Sequence, residues 1–558
     1  MLRIHDLPLS PDEDETALPE KAARLLGSAG PGILGITIRK KSLDARRKDR
    51  IRFVYTLDVE VPEGFSLPGA PRKSKGGKGS GAGSGAGPRV EFLPPAEPRG
   101  ISGFGTSVPP VPRGPASRRH PSGRPVVVGS GPAGLFAALV LAAAGAAPLV
   151  LERGRMVHDR LRDVERFTGG GGFDEESNIQ FGEGGAGTFS DGKLATNIRD
   201  PRCRTVLEEF VRAGAPPEIL YLAKPHIGTD LLRGVVQNIR NEIIRRGGEF
   251  RFETRLLDIG VEGGALVHLD TVRPGGLAER LPCGKLVLAT GYSARDIYGL
   301  LHRRGVALAQ KPFSLGLRIE HPQDLIDRAQ YGAFAGHPRL GPADYKLVHH
   351  CPGGRSVYTF CMCPGGFVVP AASEAEGVVT NGMSEYARGG VNANSAVLVG
   401  VGPGDYGGEG PLAGLGFQDR WERLAFALGG GGHRAPVQRL GDFLAGRPSE
   451  GPGEILPTYR PGVRYGDVAA CLPDYAAAAI REALPRMGRL LKGFDHPDAV
   501  LTAVESRSST PVRIPRNETG EASVKGLFPA GEGSGYAGGI TSAAADGIRA
   551  AEAVLNFL

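Results

Sequence analysis

The chain has 558 residues, with 67 Lys and Arg against 60 Asp and Glu, a net charge of +7, and 86 Gly and 45 Pro. This is too long for one ordinary core, so two or three domains are expected, and the mild basic excess permits an acidic ligand without requiring one. Six cysteines are too few for a disulfide framework, and an N-terminus running into Asp12–Glu15 resembles neither a secretory signal nor a transit peptide, so a cytoplasmic protein with no integral membrane segment is expected.

Residues 1–62 read as a small α+β module. Strands are predicted at 2–7, 33–38 and 51–61, and a helix at 19–26 with Leu25 and Leu26 facing inward. Phe53, Tyr55, Leu57 and Val59 alternate onto one face of the third strand. A basic run, 39–41 and 46–52, lies between the last two strands. A cationic hairpin can touch RNA, but no aromatic stacking platform accompanies it. A solvated hairpin, or a surface docked on the rest of the chain, is the favoured reading, and no nucleic acid is favoured as a partner. Residues 63–124, rich in Gly, Lys and Pro, read as a linker.

Residues 125–305 open on the stretch around which the chain is organised. Val126, Val127 and Val128 form a buried strand, and Gly129-Ser130-Gly131-Pro132-Ala133-Gly134 is a G-x-G-x-x-G turn into an Ala/Leu-rich helix. Gly129 permits the turn, Gly131 lets a pyrophosphate approach the backbone, and Gly134 lets the helix sit close to the sheet. The second strand, 149–151, ends in Glu152 and Arg153, and the acid stands where a ribose hydroxyl is held in dinucleotide folds. Residues 125–151 carry no charge, but three glycines, Pro132, Gly145 and Pro148 fit strand, turn and helix better than a membrane span. A second glycine-rich loop, 177–194, holds Gly185, Ala186, Thr188 and Lys193. Helices are expected at 204–214 and 229–247 and strands at 251–259, 265–272 and 285–288. The last strand ends in the small-residue turn Ala289-Thr290-Gly291.

Residues 306–500 read as an inserted, mostly antiparallel β domain that carries the substrate side. Its strands are predicted at 313–319, 346–349, 356–361, 366–370, 378–380 and 396–401, and its helices at 416–428 and 475–491. Residues 501–558 return to the opening chemistry. A strand at 526–529 leads into Ala530-Gly531-Glu532, and Gly539-Ile540 opens a helix N-terminus suited to the middle of a dinucleotide.

Together, the fingerprint with Glu152, the Ala289-Thr290-Gly291 turn and the Ala530-Gly531-Glu532 segment resemble FAD-binding proteins with the glutathione-reductase-type Rossmann fold. The blocks 181–194, 311–320, 358–366 and 377–387 resemble, more specifically, a family of largely uncharacterised FAD-dependent dehydrogenases. The resemblance covers the first module and residues 125–558. It implies an α/β fold: a Rossmann-type FAD-binding domain, interrupted by the antiparallel domain. It also implies that Gly129, Gly131, Ala133 and Gly134 contact the pyrophosphate of FAD, with Pro132 beside them. Glu152 would hold the adenosine ribose, Gly531 and Glu532 would meet the pyrophosphate and ribityl chain, 185–193 would lie along the isoalloxazine, and backbone near Leu256 and Leu257 would meet the adenine. Glu532 stands where such proteins often have Asp.

The function these readings imply is an oxidoreductase passing hydride between a small-molecule substrate and flavin N5, with NAD(P)H as a possible transient donor. Val399–Gly404 imitates the fingerprint with the wrong spacing and does not read as a nicotinamide site. Cys361 and Cys363 would share one strand face, with His349, His350 and Cys351 nearby in sequence; buried thiols are the favoured reading, and no metal is assigned. The polar stretch 505–513 reads equally as a site for an anionic substrate and as a hydrogen-bonded loop. His321, Tyr358 and Arg507 are candidates for acid, base or binding roles, with none assigned. The alternative is an FAD-bearing RNA-binding or adaptor protein that uses the basic module. A lipid reductase at a membrane surface would need a basic amphipathic helix, which is not evident.

Overall fold

A computed structural model describes residues 1–27, 33–63, 65, 87–93 and 124–558. Much of the expected linker lies outside these residues. The part inside them corrects the reading: Arg89–Phe92 is a strand, not linker. It pairs antiparallel with Leu2–His5, so the first sheet runs Gly35–Asp44, Arg52–Glu60, Leu2–Leu9, Arg89–Phe92. The period-two alternation of Arg89-Val90-Glu91-Phe92 is the signal that the surrounding Gly and Pro obscure. Helix Leu18–Leu25 covers the sheet through Leu18 and Ala22, joined by Leu26, at a spacing of four. Leu25 points away and is 37% exposed.

Five parallel strands form the second sheet, in the order Leu527–Pro529, Leu286–Leu288, Val126–Val128, Leu149–Leu151, Glu249–Arg251. Strands buried on both faces are apolar throughout, and here each residue's face decides its partner. The middle residues Val127, Val150, Val287 and Phe528 join a core with helices Pro132–Ala143, Arg202–Arg212, Thr229–Arg245 and Ile540–Leu555. Their neighbours Val126, Val128, Leu149, Leu151, Leu286, Leu288 and Leu527 face the other way. They pack against helix Arg295–Arg303 and the antiparallel strands Arg255–Glu262 and Ala265–Arg273. Helix Pro132–Ala143 is buried along ten consecutive residues because the sheet and helix Ile540–Leu555 both cover it. That crossing is close: a Cβ on Gly547 would lie 2.0 Å from the Ala133 carbonyl oxygen.

A third sheet has seven strands: Val348–His350, Ser356–Cys363, Asn392–Val401, Phe313–Pro322, Val500–Glu505, Ala435–Arg439 and Val463–Tyr465. All pairings are antiparallel except the last. Three of these strands, 435–439, 463–465 and 500–505, escape the sequence reading, and Val500–Glu505 carries this sheet past the expected boundary at residue 500. The chain leaves the parallel sheet through Ala309–Gln310 and returns through Val512–Arg513, and these two short strands pair with each other.

The first module docks by backbone. Lys41 N–H donates to Tyr221 O at 2.8 Å, and Ala223 N–H donates to Lys41 O at 2.9 Å. Four residues of its basic run pair with acids: Arg39 with Asp58, Lys41 with Glu15, Arg46 and Arg52 with Asp44. No helix among the described residues is long and apolar enough to cross a membrane.

Candidate functional site

The C-terminal ends of the parallel strands and the inner side of the seven-stranded sheet enclose a cavity of about 1230 Å³. The stretches after four strands line it: Gly129, Gly131, Pro132 and Ala133; Glu152 and Arg153; Ala289–Gly291; Gly531 and Glu532. Ligands of open parallel sheets bind at this end of the strands. The volume exceeds the roughly 300–1,000 Å³ of an ordinary ligand pocket.

Two helices begin at the cavity. Pro132–Ala143 starts at Gly131 and Ile540–Leu555 at Gly539, and neither has a side chain bonded to its first turn. The first turn of any helix leaves N–H groups without an intrahelical acceptor, and the macrodipole places partial positive charge there. Space is left in front of them. A Cβ on Gly131 would meet only Gly185 Cα, at 3.7 Å, and one on Gly539 or Gly291 would meet nothing within 4 Å. Gly129 and Gly531, at φ +99° and +77°, hold conformations that favour glycine. Gly134 lies behind the cavity wall, where a Cβ would stand 1.8 Å from the Gly129 carbonyl oxygen. It is a packing glycine.

Glu152 lines the cavity with all four acceptor positions in use. One oxygen accepts from Ser130 N and Oγ, both at 2.8 Å, and the other from Gly154 N at 3.0 Å and Gly182 N at 3.1 Å. Arg153 bonds Glu176 and Asp296 and lies 4.2 Å over the Phe181 ring. Gly185, Ala186, Lys193, Glu532, Gly539 and Ile540 also line the cavity, whereas Thr188 is buried behind it, its hydroxyl donating to Glu183 O. Lys193 bridges the two halves of the molecule: its ammonium pairs with Asp191 at 3.1 Å, donates to Met362 O and lies 3.7 Å from Cys363 Sγ. Leu256 is at the wall; Leu257 points outward, 39% exposed.

Several residues that build the site carry no motif. Arg160 is fully buried and donates only to backbone: Asn178, Ile179, Gly182, Glu183 and Gly185 carbonyls. It holds the 178–185 loop against Gly131. Burial lowers its pKa to about 10. Glu183 accepts from Val157 N–H and Arg240, and burial pushes its carboxyl up. Asp546 fixes Gly531 through its N–H at 2.8 Å and is itself paired with Arg516. For Glu183 and Asp546 the sequence clue is a lone charge inside a glycine- or alanine-rich run; Arg160, in a helix full of charges, offers none.

On the opposite wall the candidates divide. Tyr358 lines the cavity and donates to Ser314 Oγ at 2.7 Å. His321 does not reach it; the ring is buried against Phe494 O, and burial lowers its pKa to about 4. Arg507 reaches the wall but is closed by Glu422, Glu374, Ser293 and Ser373, so its charge is already balanced. Lys311 has no carboxylate in salt-bridge range among the described residues; its ammonium bonds Ser509 Oγ at 3.2 Å, and burial lowers its pKa. Glu532 faces the same space, and burial raises its carboxyl to about 7.

Cys361 and Cys363 do not share a plain strand face. The register slips between Phe360 and Cys363, Cys361 has φ +43°, and its side chain is exposed to the cavity while Cys363 is buried. Val399–Gly404 ends a strand and enters a short turn, with Gly402 N–H donating to Asp405.

A parallel sheet with two uncapped helix N-termini over one long cavity defines a dinucleotide-binding protein. Residues 312–508 match the model of the family described as FAD-dependent protein, C-terminal domain-like, and residues 1–60 match a domain of unknown function. FAD is the cofactor, and the backbone cradle fits it. The chain belongs to the same family as a Clostridium beijerinckii protein, described as an uncharacterized protein, to which it is 44% identical over 557 residues, covering 100% of this chain and 98% of that one. Among solved structures, the flavin-dependent brominase Bmp2 is 13% identical with a TM-score of 0.35, covering 77% of this chain and 78% of that one. The glycerol-3-phosphate dehydrogenase from Bacillus halodurans complexed with FAD is 11% identical with a TM-score of 0.34, covering 79% and 65%. Likenesses this faint say nothing about what this chain turns over.

Proposed function

We propose that the chain is an FAD-dependent oxidoreductase acting on a small-molecule substrate. The observation that carries this reading is the meeting of two segments, 129–134 and 531–540, at one cavity with both helix N-termini uncapped. When bound, FAD supplies the capacity to take up or deliver a hydride. The chain's own residues bind and orient it. First-turn N–H groups, at Ala133 and at Ile540, would face the pyrophosphate, and Pro132, lacking an N–H, costs the first helix nothing there. Glu152 would take the ribose hydroxyls by sharing the oxygen now bonded by Ser130 Oγ, the donor most able to turn away. Gly291, Arg153 and Leu256 would border the adenine end, and 185–193 the ring end.

The side of the cavity lined by Ser314, Tyr358, Cys361, Ser508 and Lys311 is read as the substrate side. Lys311 would hold negative charge there, on the substrate or on the reduced ring. Fixing these groups in advance lets them act without reorganising at the moment of transfer.

The purified protein is expected to carry a flavin absorbance spectrum and to bleach anaerobically with NADH, NADPH or one member of a metabolite panel. A folded, colourless protein that takes up no added FAD sinks the reading. A yellow protein that no reductant in the panel bleaches removes the oxidoreductase part and leaves the cofactor.

A further inference from the structure

We propose that His349, Cys351 and Glu482 form a zinc site, outside the FAD cavity, that ties the edge of the seven-stranded sheet to helix Asp474–Leu490. The ligand atoms of these three residues all lie within 4.8 Å of one another. They offer an imidazole nitrogen, a thiol sulfur and a carboxylate oxygen, the donor types zinc takes most readily. Zinc bonds of about 2.0–2.3 Å hold tetrahedral ligands about 3.3–3.8 Å apart, so the site closes by side-chain adjustment of about 1 Å.

The backbone brings the three groups together for separate reasons. Val348–His350 is the outermost strand of its sheet, and His349 and Cys351 are two residues apart, on the same face. Cys351 is held in place because its N–H donates to Arg355 O at 2.8 Å across the turn. Helix Asp474–Leu490 lies along that face and presents Glu482, whose Oε1 is 2.9 Å from His349 Nε2. The helix backbone is equally close, since Cys351 Sγ lies 3.9 Å from Ala479 O. Cys351 is buried while Glu482 is exposed, so three protein ligands have a solvent side where water completes a fourth position.

The charges balance. Binding releases the Cys351 thiol proton, and thiolate plus carboxylate neutralise the dication, with His349 neutral. None of the three residues lines the FAD cavity. An edge strand of three residues, paired on one side only, gains a second attachment from the metal.

The test loads full-length flavin-bound protein with zinc, dialyses it, and measures metal by elemental mass spectrometry. Cobalt(II) difference spectra, which report thiolate ligation, are read beside it. Wild type is expected to retain close to one zinc per chain. C351S and H349A are expected to lose most of it while keeping their flavin, which shows that they fold. E482Q is expected to bind at least about tenfold more weakly. Wild type that retains no zinc and shows no cobalt–thiolate band overturns the proposal. So does zinc that survives C351S and disappears in C361S, which places the metal on the cavity thiols instead.

Discussion

On the parallel-sheet side, the cavity is lined by main chain, with open space in front of Gly131, Gly291 and Gly539 and the uncapped first turns of two helices beside it. On the opposite side it is lined by side chains that already hold one another. Arg507 is closed by two carboxylates, and Glu505 accepts from Nε and Nη2 along one guanidinium edge of Arg318 at 2.6 and 3.0 Å. The first wall is built to receive a ligand that supplies the missing acceptors. The second is built to keep its shape, and presents Lys311, Tyr358 and Cys361 among the groups that face a guest.

The contrast can be broken in four places. Gly134→Ala should cost most, because its Cβ would stand 1.8 Å from the Gly129 carbonyl oxygen. Soluble yellow protein should be lost outright, and recovery at wild-type yield would show that the turn is not as tight as drawn. Glu505→Gln should cost about 3–5 kcal/mol in chemical denaturation, because Arg318 is left as an uncompensated buried charge. The flavin bound per folded molecule should not change; if it falls in step with stability, the two walls are not separable. Gly131→Ala should do the reverse. Its Cβ meets only Gly185 Cα at 3.7 Å, so the unfolding midpoint should hold while FAD affinity drops at least about tenfold, or ~1.4 kcal/mol.

The smallest effect is one of pH. Burial holds Glu532 at about 7 against an ordinary 4.5, with the Gly539 N–H and Lys311 pulling the other way. The folded apoprotein therefore keeps a proton that the unfolded chain has lost, so this contribution to stability is whole below pH 4.5 and fades as pH rises to about 7. Ionised Glu532 also opposes an anionic cofactor. FAD affinity, measured by flavin fluorescence, should fall above pH 7 by no more than about tenfold per unit. Glu532→Gln should flatten that fall, and an unchanged slope would place the titrating group elsewhere.

The two walls also differ in how far they can be read from sequence. A turn that only glycine can make leaves a fixed pattern of residue types, so Gly129, Gly131 and Gly134 announce the first wall, and Gly531 and Gly539 its far end. Arg160 leaves no pattern, since one buried charge satisfied by backbone can come from any distance along the chain. Val500–Glu505 is hard to read for a related reason: a fully buried strand shows no alternation. Cys361 and Cys363 misled because the two-residue period holds only where the ladder is unbroken, and a bulge intervenes. The first module's basic run is legible as charge, but its pairing with Asp58 and Glu15, distant in sequence, is not.

The order of strands in the parallel sheet has a consequence for synthesis. Leu286–Leu288 lies between Val126–Val128, already made, and Leu527–Pro529, still to come. At roughly 5–20 residues per second, the ribosome takes about 12–48 s to deliver the roughly 240 residues between them. Throughout that interval a nascent chain presents an apolar strand with one open edge. The second helix N-terminus, at Ile540, emerges later still. A ligand held by both helix N-termini therefore waits until Ile540 has left the exit tunnel.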